Sequence, residues 1–190
     1  QTTHKTDSTL RSLLLSEYPH LILILTLFYQ SLWKHPNKAP CTYIEVFQNS
    51  QINMSIFVLK PGFKMPLHDH PHMHGLLKVI SGAVKVRSFS EYPVKESKIC
   101  TDNSSTCILT PTISNYHEIE ALDMPAAFFD ILSPPYDTLI EGIGPRRCRY
   151  YFVSSEISSN LVELQETEVP KCFYCDQFRC SYSYYSVSKT

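Results

Sequence analysis

From residue 42 onward the chain alternates short apolar and polar positions, the period-two signature of strands with one buried face. Segments 42–48 and 53–60 flank the polar turn "NSQI" and predict a hairpin; 75–81 and 83–89, separated by Gly82, predict a second. Further short strands are expected at 107–110, 117–121, 126–132, 149–154 and 161–166. "PGFKMP" reads as a turn, 90–106 as a polar loop, "SPPYD" (133–137) as a turn and "GIGPRR" (142–147) as a loop. The first forty residues differ. "STLRSLLLSEY" carries a short helical pattern that Ser8 or Thr9 could cap. The apolar run Leu21–Trp33 is shorter than the roughly 20 residues that cross a bilayer, so it is expected to be a buried helix or strand packed on the domain. "HPNKAP" (35–40) is a linker.

So many short strands at regular spacing predict an all-β sandwich or barrel, and a small jelly-roll β-barrel offers a concave interior for a site. The expected organisation is a helical and linker segment over 1–40, a barrel domain over 41–170 and a Cys/Tyr-rich tail over 171–190. Composition agrees. Twelve Tyr and ten Phe suit strands, and thirteen Pro against five Gly suit rigid turns. A formal net charge of -1 gives no bulk electrostatic case for nucleic acid or an anionic membrane. Seven cysteines are an odd number without the dense framework of a secreted scaffold, which favours reduced thiols in a cytoplasmic or nuclear protein. Cys172 and Cys175 form a C-x-x-C with Cys180 nearby, but no fourth ligand is visible, so these read as free thiols.

The chemistry concentrates in "PLHDHPHMHG", where four of the eight histidines fall within seven residues. On a strand, His68 and His70 share one face and Asp69 points to the other. Two imidazoles about 6–7 Å apart along a strand can converge on one ion. Gly62, His68, His70, Gly75 and Gly82 follow the spacing of the first cupin motif, G-x5-H-x-H-x4-E-x6-G, with Gly75 at the acidic position. "PTISNYHEIE" supplies a third histidine, His117, after a proline turn. The predicted ligand set is therefore His68, His70 and His117, a neutral shell with open positions for chemistry. Imidazole alone does not choose among Fe, Zn, Cu and Ni. His72 and His74 are expected to be supporting or structural neighbours. His4, His20 and His35 read as ordinary surface or core histidines.

"LHDHPHMHGLLKVISGAVKV", "CILTP", "NYHEIEA", "PAAFFDILSPPYD" and "CRYYFV" together resemble the cysteamine (2-aminoethanethiol) dioxygenase and plant cysteine oxidase family, the animal-type branch more closely, over about residues 42–166. The resemblance implies a cupin fold and Fe(II) held by three histidines. It implies addition of both atoms of O2 to the thiol of cysteamine or of a protein's N-terminal cysteine, giving a sulfinic acid, in oxygen sensing through a degradation signal. It implies a monomer. Asp130 and Tyr136 match a polar pair lining the family's substrate pocket, and Cys148 and Tyr150 match a pair that forms a thioether crosslink. One departure is His72, where relatives carry Gly. Two other readings stay open: another metal-dependent cupin oxygenase or isomerase, and a non-catalytic cupin binding protein.

Overall fold

Alternation along the chain is realised as strands gathered into two sheets. The computed structural model describes residues 39–90 and 95–179. The helical pattern capped by Ser8 or Thr9, the apolar run 21–33, His4, His20, His35 and Cys180 lie outside the described residues. Among those described, the strands are β1 (Cys41–Gln48), β2 (Asn53–Leu59), β3 (Lys64–His68), β4 (His74–Ser81), β5 (Ala83–Phe89), β6 (Glu96–Thr101), β7 (Cys107–Leu109), β8 (Tyr116–Ala121), β9 (Ala126–Ser133), β10 (Leu139–Ile140), β11 (Gly144–Pro145), β12 (Tyr150–Glu156), β13 (Val162–Thr167) and β14 (Cys175–Arg179). One six-stranded sheet runs β14-β1-β2-β9-β4-β7 and the other β13-β12-β3-β8-β5-β6, with β10-β11 as a small ribbon. The fold is all-β, a jelly-roll barrel of cupin type. No described helix is long and apolar enough to cross a membrane.

The core sits between the sheets. Leu59, Leu77, Val79 and Phe128 from the first sheet meet Met65, Val84, Val86 and Ile119 from the second. Each large apolar side chain withdrawn from water contributes about 1.5–3 kcal/mol. Strand β8 shows the rule plainly: His117, Ile119 and Ala121 face in, while Glu118 faces out and pairs with Arg87 and Lys64. Strand β9 is buried along most of its length, on both faces, as its near-continuous apolar run requires.

The first hairpin forms as expected, with Asn49 Oδ1 accepting from the amides of Gln51 and Ile52 in the turn. The second does not. Strands β4 and β5 are consecutive yet lie in different sheets, β4 paired with β7 and β9, β5 with β6 and β8. Gly82 is the corner between the sheets, at φ 74, and a Cβ there would lie 2.3 Å from the Pro125 carbonyl oxygen. Five strands escaped the sequence pattern. Strands β10 and β11 form a two-residue ribbon, with β11 inside the expected loop 142–147. Strand β3 contains Pro66, which cannot donate to a ladder; its register slips between Met65 and His68 to accommodate it. Strand β6 is polar and exposed for most of its length. Strand β14 lies in the expected tail and pairs parallel with β1.

Gly82→Ala should therefore destabilise the fold by roughly 2 kcal/mol or more, because strain and a backbone clash add. Gly62→Ala, at φ 68 but with open space around it, should cost only about 1 kcal/mol. Equilibrium denaturation of both variants checks the difference.

Candidate metal centre

Strand pairing brings the three expected histidines together. His68 ends β3 and is the register partner of His117 on β8, and His70 follows two residues past the strand end. The ring centroids form a nearly equilateral triangle with sides of 4.9, 4.7 and 4.8 Å. One ligand atom from each lies within 4.8 Å of the others, and all three residues are buried.

Hydrogen bonds on the far side of each ring fix which nitrogen faces inward. His68 Nδ1 donates to the Pro66 carbonyl at 2.8 Å. The carbonyl of Ser114 accepts from His117. The Tyr136 hydroxyl donates to the Asp69 carbonyl at 2.5 Å, which leaves its oxygen to accept from His70 Nδ1 at 2.8 Å. With the protons outward, the Nε2 lone pairs converge, and those of His70 and His117 stand 3.3 Å apart. Two acceptors at that distance repel unless a cation lies between them. The donor set thus fits a divalent metal, with each imidazole oriented from behind as metal-ligating histidines are. Burial lowers the pKa of all three, and the mutual repulsion of the rings lowers those of His70 and His117 further. They are neutral at pH 7, the form that binds metal.

The backbone of His70 is held as firmly as its ring. Asn115 accepts from the His70 amide at 3.0 Å and donates to the His70 carbonyl at 2.8 Å. Asp69, pointing away from the metal face, receives the Arg149 amide, Nε and Nη2 at 2.9, 2.9 and 2.7 Å, and the Tyr151 hydroxyl at 3.1 Å. Neither Asn115 nor the Asp69 pairing was assigned a role from sequence. A charged residue between two closely spaced histidines, with "CRYY" later in the chain, was the available signal.

The rings open onto a cavity of about 560 Å³ whose wall includes Asp130, Tyr136, Cys148 and Tyr150. Asp130 faces inward from β9, beside Ser55 in register on β2. Burial raises its carboxyl pKa to about 7. The Cys148 thiol hydrogen-bonds to the hydroxyls of both Tyr136 and Tyr150, and burial raises its pKa. Gly75 has no room for the acidic side chain of the general cupin motif: even a Cβ would lie 2.8 Å from Leu109 Cγ.

His72 and His74 are exposed and do not line the cavity. His72 occupies a turn closed by the Met73 amide on the His70 carbonyl, at φ 55 after Pro71. This is the left-handed position of a type II pattern, where Gly is least strained.

A family model described as PCO_ADO matches residues 7–188. The 2-aminoethanethiol dioxygenase of Homo sapiens is 31% identical over 168 residues, covering 72% of this chain and 61% of the relative. Plant cysteine oxidase 1 of Arabidopsis thaliana is 29% identical over 151 residues, covering 71% and 50%. The chain spans about three fifths of the length of the 2-aminoethanethiol dioxygenases it matches. Among solved structures, KdgF from Halomonas sp. aligns with a TM-score of 0.45 at 16% identity, covering 54% of this chain and 86% of that one.

Tyr136→Phe removes the acceptor of the His70 Nδ1 proton and should weaken binding of a divalent metal by roughly 10–100-fold, measured by calorimetric titration. The lowered imidazole pKa values set the pH window. Unfolded histidines take up protons near 6.5 while the folded trio resists. The metal-free protein should therefore lose stability as pH falls below about 6.5, whereas the metal affinity of the folded site should stay level through that point and decline only where the lowered imidazole pKa values are reached. Denaturation and titration across that range read both effects.

Proposed function

The chain belongs to the PCO_ADO family, and from that premise we propose that it is an iron-dependent thiol dioxygenase, converting the thiol of cysteamine or of an N-terminal cysteine to a sulfinic acid. The observation that carries this reading is the carboxylate-free set of three neutral imidazoles facing a cavity. Fe(II) bound there would supply a site for O2 and for the substrate sulfur as thiolate. His68, His70 and His117 would hold it without lowering its charge, so an anionic sulfur is the complement the site lacks. Because the thiol would be ionised by its own binding, the wall needs no strong base.

The other residues orient and exclude water. Asp130, buried with its pKa near neutrality, gains by meeting a cation, and the free amine of either substrate is one. Tyr136 holds His70 from behind and closes the wall. Cys148 and Tyr150, in contact on that wall, are the pair in which we expect the thioether crosslink. We place the enzyme in the cytoplasm or nucleus, acting as a monomer, and in the role of an oxygen sensor when its substrate is a protein.

Anaerobic loading with Fe(II), then exposure to O2 with a peptide beginning in cysteine, tests the reading by mass spectrometry. The expected result is a gain of two oxygens, abolished by acetylating the N-terminus. A gain on cysteamine alone would make this a small-thiol enzyme. A gain on neither, with iron bound, would overturn the assignment in favour of another cupin oxygenase or isomerase. His68→Ala and His117→Ala should lose both iron and activity while keeping the fold. Asp130→Asn carries a separate expectation. A raised carboxyl pKa costs the folded state stability as pH rises from about 3.8 to about 7. Metal-free Asp130→Asn should thus be more stable above pH 7, by up to about 4 kcal/mol, and turn over substrate poorly.

A further inference from the structure

A second chemical feature lies away from the cavity. Strands β6 and β7 are the edges of the two sheets and are joined by the short loop 102–106. Cys100 near the end of β6 and Cys107 at the start of β7 place their Sγ atoms 3.4 Å apart. Neither lines the metal cavity. The loop between them is pinned, with the Thr101 amide donating to Ser104 Oγ, the Ser104 amide to the Thr101 carbonyl, and Lys78 Nζ to the Ser104 carbonyl. The two thiols therefore meet in a built arrangement.

We propose that Cys100 and Cys107 form a dithiol–disulfide site, oxidised by low-molecular-weight disulfides, that ties the edge of one sheet to the edge of the other. The pair is asymmetric. Cys107 is half-buried, whereas Cys100 is 3% exposed. The Cys100 S–H and the ammonium groups of Lys98 and Lys78 lower the Cys107 pKa, and Cys100 is raised in turn by the same hydrogen bond and by burial. This is the electropositive, partly accessible setting of a reactive thiol.

The Cys107 thiolate attacks one sulfur of the small disulfide, whose S–S bond breaks and releases one thiolate. The Cys100 sulfur then gives up its proton and attacks Cys107 Sγ, releasing the second. Two protein thiols are oxidised and one disulfide is reduced to two thiols. Closing the bond needs the sulfurs to approach by only ~1.4 Å. The other close pair, Cys41 and Cys175, are register partners of β1 and β14, but Cys41 is fully buried and the charged neighbour of Cys175 is Asp176, which opposes the thiolate. Cys100–Cys107 should oxidise first.

The test treats the full chain with oxidised glutathione, oxygen excluded, and maps the products. Tryptic peptide 99–146 contains these two cysteines and no others. The expected result is that peptide lighter by two hydrogens and resistant to alkylation, before any change at Cys41 or Cys175. In Cys100→Ser a glutathione adduct should persist on Cys107. In Cys107→Ser, Cys100 should react at least about tenfold more slowly. Two alkylatable thiols in the wild-type peptide while other cysteines oxidise would overturn the proposal. So would a wild-type reaction that stops at the adduct on Cys107.

Discussion

Three uncharged imidazoles point their lone pairs into one buried space, and much of the surrounding structure serves to keep their protons on the outer side. Left to itself such a cluster would rotate rings or take up a proton to relieve the repulsion. Here each escape is closed. Pro66, Ser114 and Tyr136 occupy the outer nitrogens, and burial keeps extra protons away. The binding geometry is thus set before any ion arrives, and the cost of arranging it is met in folding rather than in binding.

His70 is the least regular member and receives the most support. It lies beyond the end of β3, so no ladder fixes it. Asn115 substitutes for the missing strand partner by bonding both its amide and its carbonyl. Asp69 anchors the preceding residue to Arg149 on the approach to β12, so the chain cannot swing away from the barrel. The bulge at Pro66 has a part in this as well. It shifts the register so that His68 falls opposite His117, with the Pro66 carbonyl turned to the His68 ring. A proline that breaks the strand pattern is thereby one of the elements that makes the site.

Much of this could be read from sequence, and what could not has identifiable causes. Strands with one apolar face, such as 42–48 and 117–121, announce themselves by alternation, and the three histidines that meet were singled out by parity and spacing. Strand β6 has little apolar alternation because its edge faces water, and β3 is interrupted by Pro66. The supposed hairpin at Gly82 failed because one glycine between two strands signals a sharp change of direction without saying whether the strands pair; in a barrel the same corner passes the chain between sheets. The supporting neighbours expected at His72 and His74 were inferred from proximity in sequence. The turn after Pro71 carries them into solvent, and the groups that hold His70 and Asp69 come instead from residues 45 or more positions away.

The distribution of charge ties the site together. Two carboxylates lie close to the metal face, and the fold treats them in opposite ways. Asp69 is turned outward and ion-paired with Arg149. Asp130 is turned inward with burial opposing its ionisation. The ligands themselves are neutral. On the proposed reading, a dication on the imidazoles is complemented by an anionic sulfur, and a partly ionised Asp130 by an ammonium group. An aminothiol supplies the sulfur and the ammonium in one small molecule. A carboxylate at position 75, as in the general cupin motif, would compete with the sulfur for the dication, and the packing of Leu109 against Gly75 removes that option.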